Sequence, residues 1–89
     1  MSAEEIERWL VEQIASYAEL STEEVDAHIP FERYGLDSRT AASLSGELED
    51  WLGASIPATL LWDYPTIAEV SRFLSQASAG RDAAAGAER

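Results

Sequence analysis

Cysteine is absent from the 89-residue chain, which excludes disulfide bonds, zinc sites built on thiolates and cysteine nucleophiles. Lysine is absent too, and the six basic residues, all arginine, stand against 17 acidic ones, giving a formal net charge of -11. A surface of that sign repels phosphate backbones, so a nucleic acid is not expected as a partner.

Long apolar runs are also missing. No stretch approaches the roughly 20 apolar residues of a membrane span, and Glu4, Glu5 and Glu7 stand where a secretory signal carries basic residues. We therefore expect a cytoplasmic protein without a membrane span. A chain of this length forms one small domain, which we expect to be monomeric and too small to enclose a large catalytic cavity.

Catalytic and metal-binding patterns are equally scarce. His28 is the single histidine and lies among ordinary loop residues, where a surface role is more common than that of a general base. Neither a Glu-x-x-His pair nor an Asp-rich calcium loop occurs. The residue pattern thus supplies no candidate for a catalytic residue or a metal ligand.

What the chain does have is helical periodicity. Residues 3–18 predict a first helix, capped by Ser2 and with one apolar face. The members of that face are Ile6, Trp9, Leu10, Ile14 and Tyr17. Residues 19–37 lose the period and predict a long loop, in which Ser21 and Glu24 form a capping box for one helical turn. The apolar loop residues need buried positions: Val25, Ile29, Phe31 and Leu36.

The second helix is predicted to begin at Asp37 or Ser38, either of which can cap it, and to stop at Gly53. Its apolar stripe predicts a buried face made of Ala41, Leu44, Leu48, Trp51 and Leu52. The opposite side predicts an acidic outer surface made of Glu47, Glu49 and Asp50.

Residues 59–62 leave room for only a turn of helix before Pro65, and Thr66 with Glu69 predicts a capped last helix running to about Gln76. Its inward face is predicted to hold Ile67, Val70, Phe73 and Leu74. The predicted fold is therefore all-α, a small four-helix bundle with a long first loop and a short third helix. Residues 1–77 form the domain, and residues 78–89, rich in Ala and Gly, predict a flexible tail or linker.

One segment at the junction of loop and second helix differs from its surroundings: Gly35-Leu36-Asp37-Ser38. It sets a serine hydroxyl at the start of a helix, where free backbone N–H groups and the helix dipole favour a phosphate group. A turn glycine, a core leucine and a helix cap would explain the same four residues without any function. The motif alone leaves both interpretations open.

The motif resembles the attachment site of acyl carrier protein domains, whose serine holds a 4'-phosphopantetheine arm. The likeness extends through the loop from Val25 to Gly35, and through the segment Thr59-Leu60-Leu61-Trp62-Asp63-Tyr64-Pro65-Thr66-Ile67, followed by Val70, Phe73 and Leu74. It covers residues 3 to about 76 and looks most like the carriers of polyketide synthases.

The resemblance implies a carrier that is not an enzyme. Ser38 would hold the 4'-phosphopantetheine arm, with Gly35, Leu36 and Asp37 completing the attachment site. A phosphopantetheinyl transferase would load it from coenzyme A. Acyl intermediates, held as thioesters, would then pass to and from a ketosynthase, an acyltransferase, an acyl-AMP ligase or other synthase domains.

Docking residues follow from the same resemblance. Arg39 stands where carrier domains commonly have an apolar residue, and we expect it to contact partners along with Glu47, Glu49 and Asp50. Trp62 and Tyr64 are candidates for contact with the acyl chain or the arm, although both could simply cover the core. Two alternatives stay open: a peptidyl carrier of nonribosomal peptide synthesis, and an acidic helical interaction module in which Ser38 is unmodified.

Overall fold

The fold is helical throughout residues 2–57 and 59–76, which are the residues that the computed structural model describes. They form four α-helices: α1 (Ala3–Ala18), α2 (Ser38–Leu52), α3 (Leu60–Asp63) and α4 (67–76). Within these ranges no strand is present, only an isolated bridge between Pro30 and Thr66. The predicted all-α fold with its short third helix is confirmed, whereas the predicted tail, 78–89, lies outside the described residues.

Side-chain caps set the helix starts where the sequence predicts them. The Glu5 backbone N–H donates to Ser2 Oγ at 3.2 Å, and the Glu5 carboxylate accepts from the Ser2 backbone N–H at 3.2 Å. At α4 the Glu69 backbone N–H donates to Thr66 Oγ1 at 3.2 Å. Gly53 ends α2 in the left-handed conformation, with φ 70°, which glycine adopts without a steric penalty.

The core lies where α1, α2 and α4 meet. Its fully buried aliphatic side chains are Ile6, Leu10, Ile14, Leu44, Leu48, Ile67 and Val70. The long loop contributes three more buried side chains, Val25, Phe31 and Leu36, as the sequence predicts, while Ile29 is half-buried. None of the helices among the described residues is long and apolar enough to cross a membrane.

Two aromatic residues of the predicted apolar faces are exposed, and the predicted burial of Trp51 is wrong. Tyr17 of α1 is 41% exposed and Trp51 of α2 is 36% exposed. Trp51 lies at one edge of the α2 stripe. Tyr17 shares the side of α1 that holds Ile6 and Leu10 but lies in the last turn of the helix, next to its end. Trp51 packs instead on Trp9, with ring centroids 5.0 Å apart and planes at 12°.

Hydrogen bonds attach the first loop to the rest of the bundle. The Phe31 N–H donates to the Pro65 carbonyl at 2.8 Å, and the Ala68 N–H donates to the Ala27 carbonyl at 3.0 Å. The predicted turn after Ser21 is present as a 3-10 turn, Thr22–Glu24, and a second one, Phe31–Tyr34, is present that the sequence did not predict. The loop therefore reaches α2 in one defined path.

Candidate functional site

The backbone between the second 3-10 turn and α2 presents Ser38 to solvent. Gly35 ends the turn in the left-handed region, with φ 83°, a conformation in which side chains are strained. Leu36 is then buried in the core, and Asp37 caps α2 in extended conformation. Ser38, the first residue of the helix, is exposed. A turn at Gly35, a buried side chain at Leu36 and a helix cap at Asp37 thus precede Ser38 and give its hydroxyl a defined position.

Asp37 organises the start of α2. Its Oδ1 accepts the Thr40 backbone N–H at 2.8 Å. The hydrogen bonds from Thr40, aided by the nearby Arg39 guanidinium, hold the pKa of the Asp37 carboxyl below its ordinary value. Arg39 itself is exposed. The site therefore combines an ionised carboxylate, a guanidinium and a serine hydroxyl at the positive end of a helix.

A groove opens beside this junction, with a volume of about 240 Å³. Its walls include Leu36 and Ala41, which precede and follow Ser38 in the chain. Trp62 also lines it and is 55% exposed, more than any other large apolar side chain in residues 2–57 and 59–76. The remaining lining residues are Pro30, Phe31, Glu32, Leu61 and Pro65. An apolar group attached near Ser38 could lie in this groove.

The structure brings only some of the predicted site residues together. Gly35 through Arg39 form the junction, and Trp62 lines the groove next to it. Tyr64 instead stacks on Phe73, with centroids 4.5 Å apart, and lines a different surface depression. The two rings thus lie in different surface depressions, and contact with the acyl chain or the arm stays a prediction for both.

The acidic residues of α2 also separate. Asp50 and Glu47 are exposed. The pKa of the Tyr17 phenol is raised, first by its partial loss of hydration and then by the nearby Glu47 carboxylate. Glu49 is half-buried, and its Oε2 accepts the Ile56 backbone N–H at 2.7 Å. Its predicted place on the solvated outer surface is thus wrong.

Sequence reasoning did not identify most of the groove wall. Pro30 and Phe31 come from the first loop, whereas Leu61 and Pro65 come from the segment around α3. No periodic pattern joins residues so distant in the chain. The sequence gives an indirect indication of this wall, because the first loop contains apolar residues although no helix face is predicted there to bury them.

Most of the chain matches one known protein family. The family described as the phosphopantetheine attachment site matches residues 8–74. The chain belongs to this family. Its members are carrier proteins, which are not catalytic themselves, and their cofactor is phosphopantetheine.

Individual relatives of this phosphopantetheine-binding chain are acyl carriers and polyketide synthases. It is 32% identical over 75 residues to the acyl carrier protein TtuC of Teredinibacter turnerae, covering 84% of this chain and 86% of TtuC. It is 41% identical over 66 residues to the pikromycin polyketide synthase component PikAII of Streptomyces venezuelae. That match covers 74% of this chain but only 2% of PikAII, so the likeness concerns one small part of that synthase.

A peptidyl carrier protein is among the similar solved structures. The chain superposes on a free-standing peptidyl carrier protein from Acinetobacter baumannii with a TM-score of 0.76 and 36% identity. The match covers 82% of this chain and 91% of that protein. The fold is thus that of the acyl and peptidyl carriers.

The residues present fit the family's cofactor. Its attachment needs a hydroxyl that an enzyme can reach, and Ser38 is exposed. It also places a phosphodiester at the attachment point, and the start of a helix favours a phosphate there. Ser38 would hold the arm, with Asp37 and Arg39 as its charged neighbours.

Proposed function

We propose that this chain is an acyl carrier whose Ser38 receives 4'-phosphopantetheine and which serves a polyketide or related acyl-chain pathway. The observation that supports it best is the exposure of Ser38 at the first position of α2, in a backbone path that Gly35, Leu36 and Asp37 define. The identity to TtuC and PikAII favours acyl chemistry.

Loading is a transfer onto the serine oxygen. The Ser38 Oγ forms a bond to phosphorus, the pyrophosphate bond of coenzyme A breaks, the nucleotide leaves, and a base of the transferase takes the hydroxyl proton. The transferase supplies that base and its metal ion. This chain contributes an accessible nucleophile whose helix start favours the new phosphate. When bound, the cofactor supplies a thiol that holds acyl groups as thioesters.

The groove beside Ser38 gives the attached chain a place to lie. Its walls are apolar apart from Glu32, and Trp62 can fold its ring over the occupant. We assign this contact to Trp62 and leave out Tyr64, whose ring is stacked on Phe73. Partial shielding of a hydrophobic chain by an open groove suits a carrier that must release it to the next enzyme.

Partner contacts are proposed for the exposed residues of α2. Asp50 and Glu47 can meet basic surfaces of a transferase, ketosynthase, acyltransferase or acyl-AMP ligase, and Arg39 can meet an acidic group beside the attachment point. Glu49 is a weaker candidate because one of its oxygens already accepts a hydrogen bond. The cytoplasmic location and the monomeric state stay predictions.

A peptidyl carrier is the second candidate function. The 36% identity to the peptidyl carrier protein of Acinetobacter baumannii favours it. It shares the fold and the proposed use of Ser38, and differs in carrying aminoacyl groups. Aminoacylation of the loaded chain by an adenylation domain, compared with acylation by an acyl-AMP ligase, separates the two.

The test is an intact-mass measurement after incubation with coenzyme A and a broad-range phosphopantetheinyl transferase. The parent chain should gain the mass of one phosphopantetheine group, and Ser38→Ala should gain none. Ser43→Ala is the matched control, because Ser43 is an exposed serine of the same helix, and it should be loaded like the parent.

Two results would contradict the proposal. One is a parent chain that stays unmodified while a known carrier in the same mixture is loaded, which would favour the unmodified interaction module. The other is full loading of Ser38→Ala, which would move the attachment point to another residue. Circular dichroism of Ser38→Ala should match the parent, since loss of the exposed hydroxyl leaves the core unchanged.

A further inference from the structure

The stacked tryptophans lie on a part of the surface that the carrier function does not explain. Trp9 of α1 is half-buried and Trp51 of α2 is 36% exposed. Their parallel rings, 5.0 Å apart, leave aromatic surface open to water. Large exposed aromatic side chains of this kind are enriched at sites of protein recognition.

A groove with a volume of about 250 Å³ runs along this pair. Its lining is completed by Glu5, Arg8 and Glu12, which follow one another on one side of α1. The two carboxylates outnumber the single guanidinium, so the groove carries a net negative charge. The lining of the groove thus combines two indole rings with a net negative charge.

The Glu5 carboxylate is held in place by the helix cap. Its Oε1 accepts both the Ser2 backbone N–H at 3.2 Å and the Ser2 hydroxyl at 3.1 Å. These hydrogen bonds hold the pKa of Glu5 below its ordinary value, so the group is ionised at neutral pH. Glu12 is exposed and available to a ligand.

This combination matches one side chain better than the others. A guanidinium is planar, stacks on an indole, and directs several N–H groups at carboxylates in its plane. A lysine ammonium lacks the planar face and is more strongly hydrated. An acidic segment is repelled, and a purely apolar one would remove water from Glu5 and Glu12 without giving them a hydrogen bond.

We propose that the Trp9–Trp51 groove is a docking site for an arginine-bearing basic segment of a partner protein. The guanidinium stacks on Trp51 and donates hydrogen bonds to the exposed carboxylate of Glu12, while Glu5, about two helical turns away, adds to the negative charge of the groove. Along α2, Trp51 lies 13 residues from Ser38, or about 20 Å. A partner can therefore hold this end of the carrier while the Ser38 end remains free.

The experiment is an NMR titration of the full chain with defined peptides. The chain has three tryptophans, whose indole N–H groups give separate signals once assigned. The probe is an acetylated, amidated, alanine-rich helical peptide with two arginines one turn apart, compared with lysine and glutamate versions. The arginine peptide should shift the signals of Trp9 and Trp51 saturably while that of Trp62 stays in place.

The affinities provide the second criterion. The lysine peptide should bind about three-fold more weakly than the arginine peptide, and the glutamate peptide should not bind. Trp51→Leu should weaken arginine-peptide binding about five-fold. Glu12→Gln should weaken it about three-fold, whereas the matched control Glu23→Gln, an exposed carboxylate outside the groove, should change it far less.

Three outcomes would overturn the assignment. The first is absence of any shift at Trp9 and Trp51 up to the solubility limit of the arginine peptide. The second is equal weakening by Glu12→Gln and Glu23→Gln, which would mean attraction by net charge alone. The third is unchanged binding by Trp51→Leu. None of these readouts depends on loading of Ser38.

Discussion

At the scale of single residues, the start of α2 depends on the Asp37 carboxylate. Its Oδ1 accepts the Thr40 N–H at 2.8 Å, and Thr40 lowers the pKa of Asp37 from its ordinary value of 3.8. A group whose pKa is lower in the folded than in the unfolded state stabilises the fold at pH values above its unfolded-state pKa. That contribution is lost as the pH falls through the folded-state pKa. The cap that presents Ser38 is therefore acid-sensitive.

We expect the stability advantage of the parent over Asp37→Asn to shrink as the pH falls below 3.8. Asparagine can accept the same cap hydrogen bond, but it lacks the negative charge that Arg39 and the helix start favour, and it does not titrate. Urea unfolding of both proteins at a series of pH values measures the difference. Asp50→Asn, on an exposed position of the same helix, controls for net charge. An advantage that stays constant down to pH values well below 3.8 would contradict the role of the cap.

At the scale of elements, Glu49 determines how the chain leaves α2. Its carbonyl accepts the N–H groups of Gly53 and Ala54 at 2.8 and 3.3 Å. Its carboxylate accepts the Ile56 N–H at 2.7 Å, and Ile56 is buried. Glu49 thus accepts the hydrogen bonds that close α2 at Gly53 and brings the following segment onto the core, which sets the approach to α3 and to the groove.

Replacing Glu49 should therefore cost more stability than replacing its neighbour Asp50. Glu49→Ala removes a hydrogen bond to an ionised acceptor and should lower the free energy of unfolding by about 1.5 kcal/mol. Asp50→Ala should change it by less than about 0.5 kcal/mol. Chemical denaturation measures both. Equal losses in the two variants would show that the Ile56 hydrogen bond contributes little.

At the scale of the whole molecule, charge repulsion opposes the compact state. Residues 1–77 hold 15 acidic and 4 basic residues, and the arginines and acids of residues 78–89 cancel. Such an excess of negative charge destabilises a small domain through repulsion between its own carboxylates, but it attracts basic partners. Both effects weaken as salt screens them, so the fold should gain stability under conditions in which partner binding weakens.

We expect the melting temperature to rise when sodium chloride is increased from about 0.01 M to about 1 M. Calorimetry of the parent measures the rise. Glu23→Arg changes an exposed position and reduces the net negative charge, so its melting temperature should rise less over the same range. A melting temperature indifferent to salt in both proteins would contradict a significant contribution of self-repulsion.

Local rules account for what the sequence predicted correctly. Ser2 and Asp37 start helices because their side chains satisfy nearby N–H groups, and Gly53 ends one because it adopts a left-handed conformation. These interactions span only a few residues, so the helix bounds and the position of Ser38 can be predicted from residues that are close in the sequence. The attachment motif was recognisable for the same reason.

The sequence by itself determined the four helices, their caps, the acidic charge and the serine at the start of α2. Only the tertiary structure decided which part of each apolar stripe remains in contact with solvent. This is why Trp51 is exposed beside Trp9. It also decided that Trp62 and Phe31 share a groove while Tyr64 does not. These outcomes depend on how helices cross and where a loop returns, and residues far apart in the chain set that geometry together.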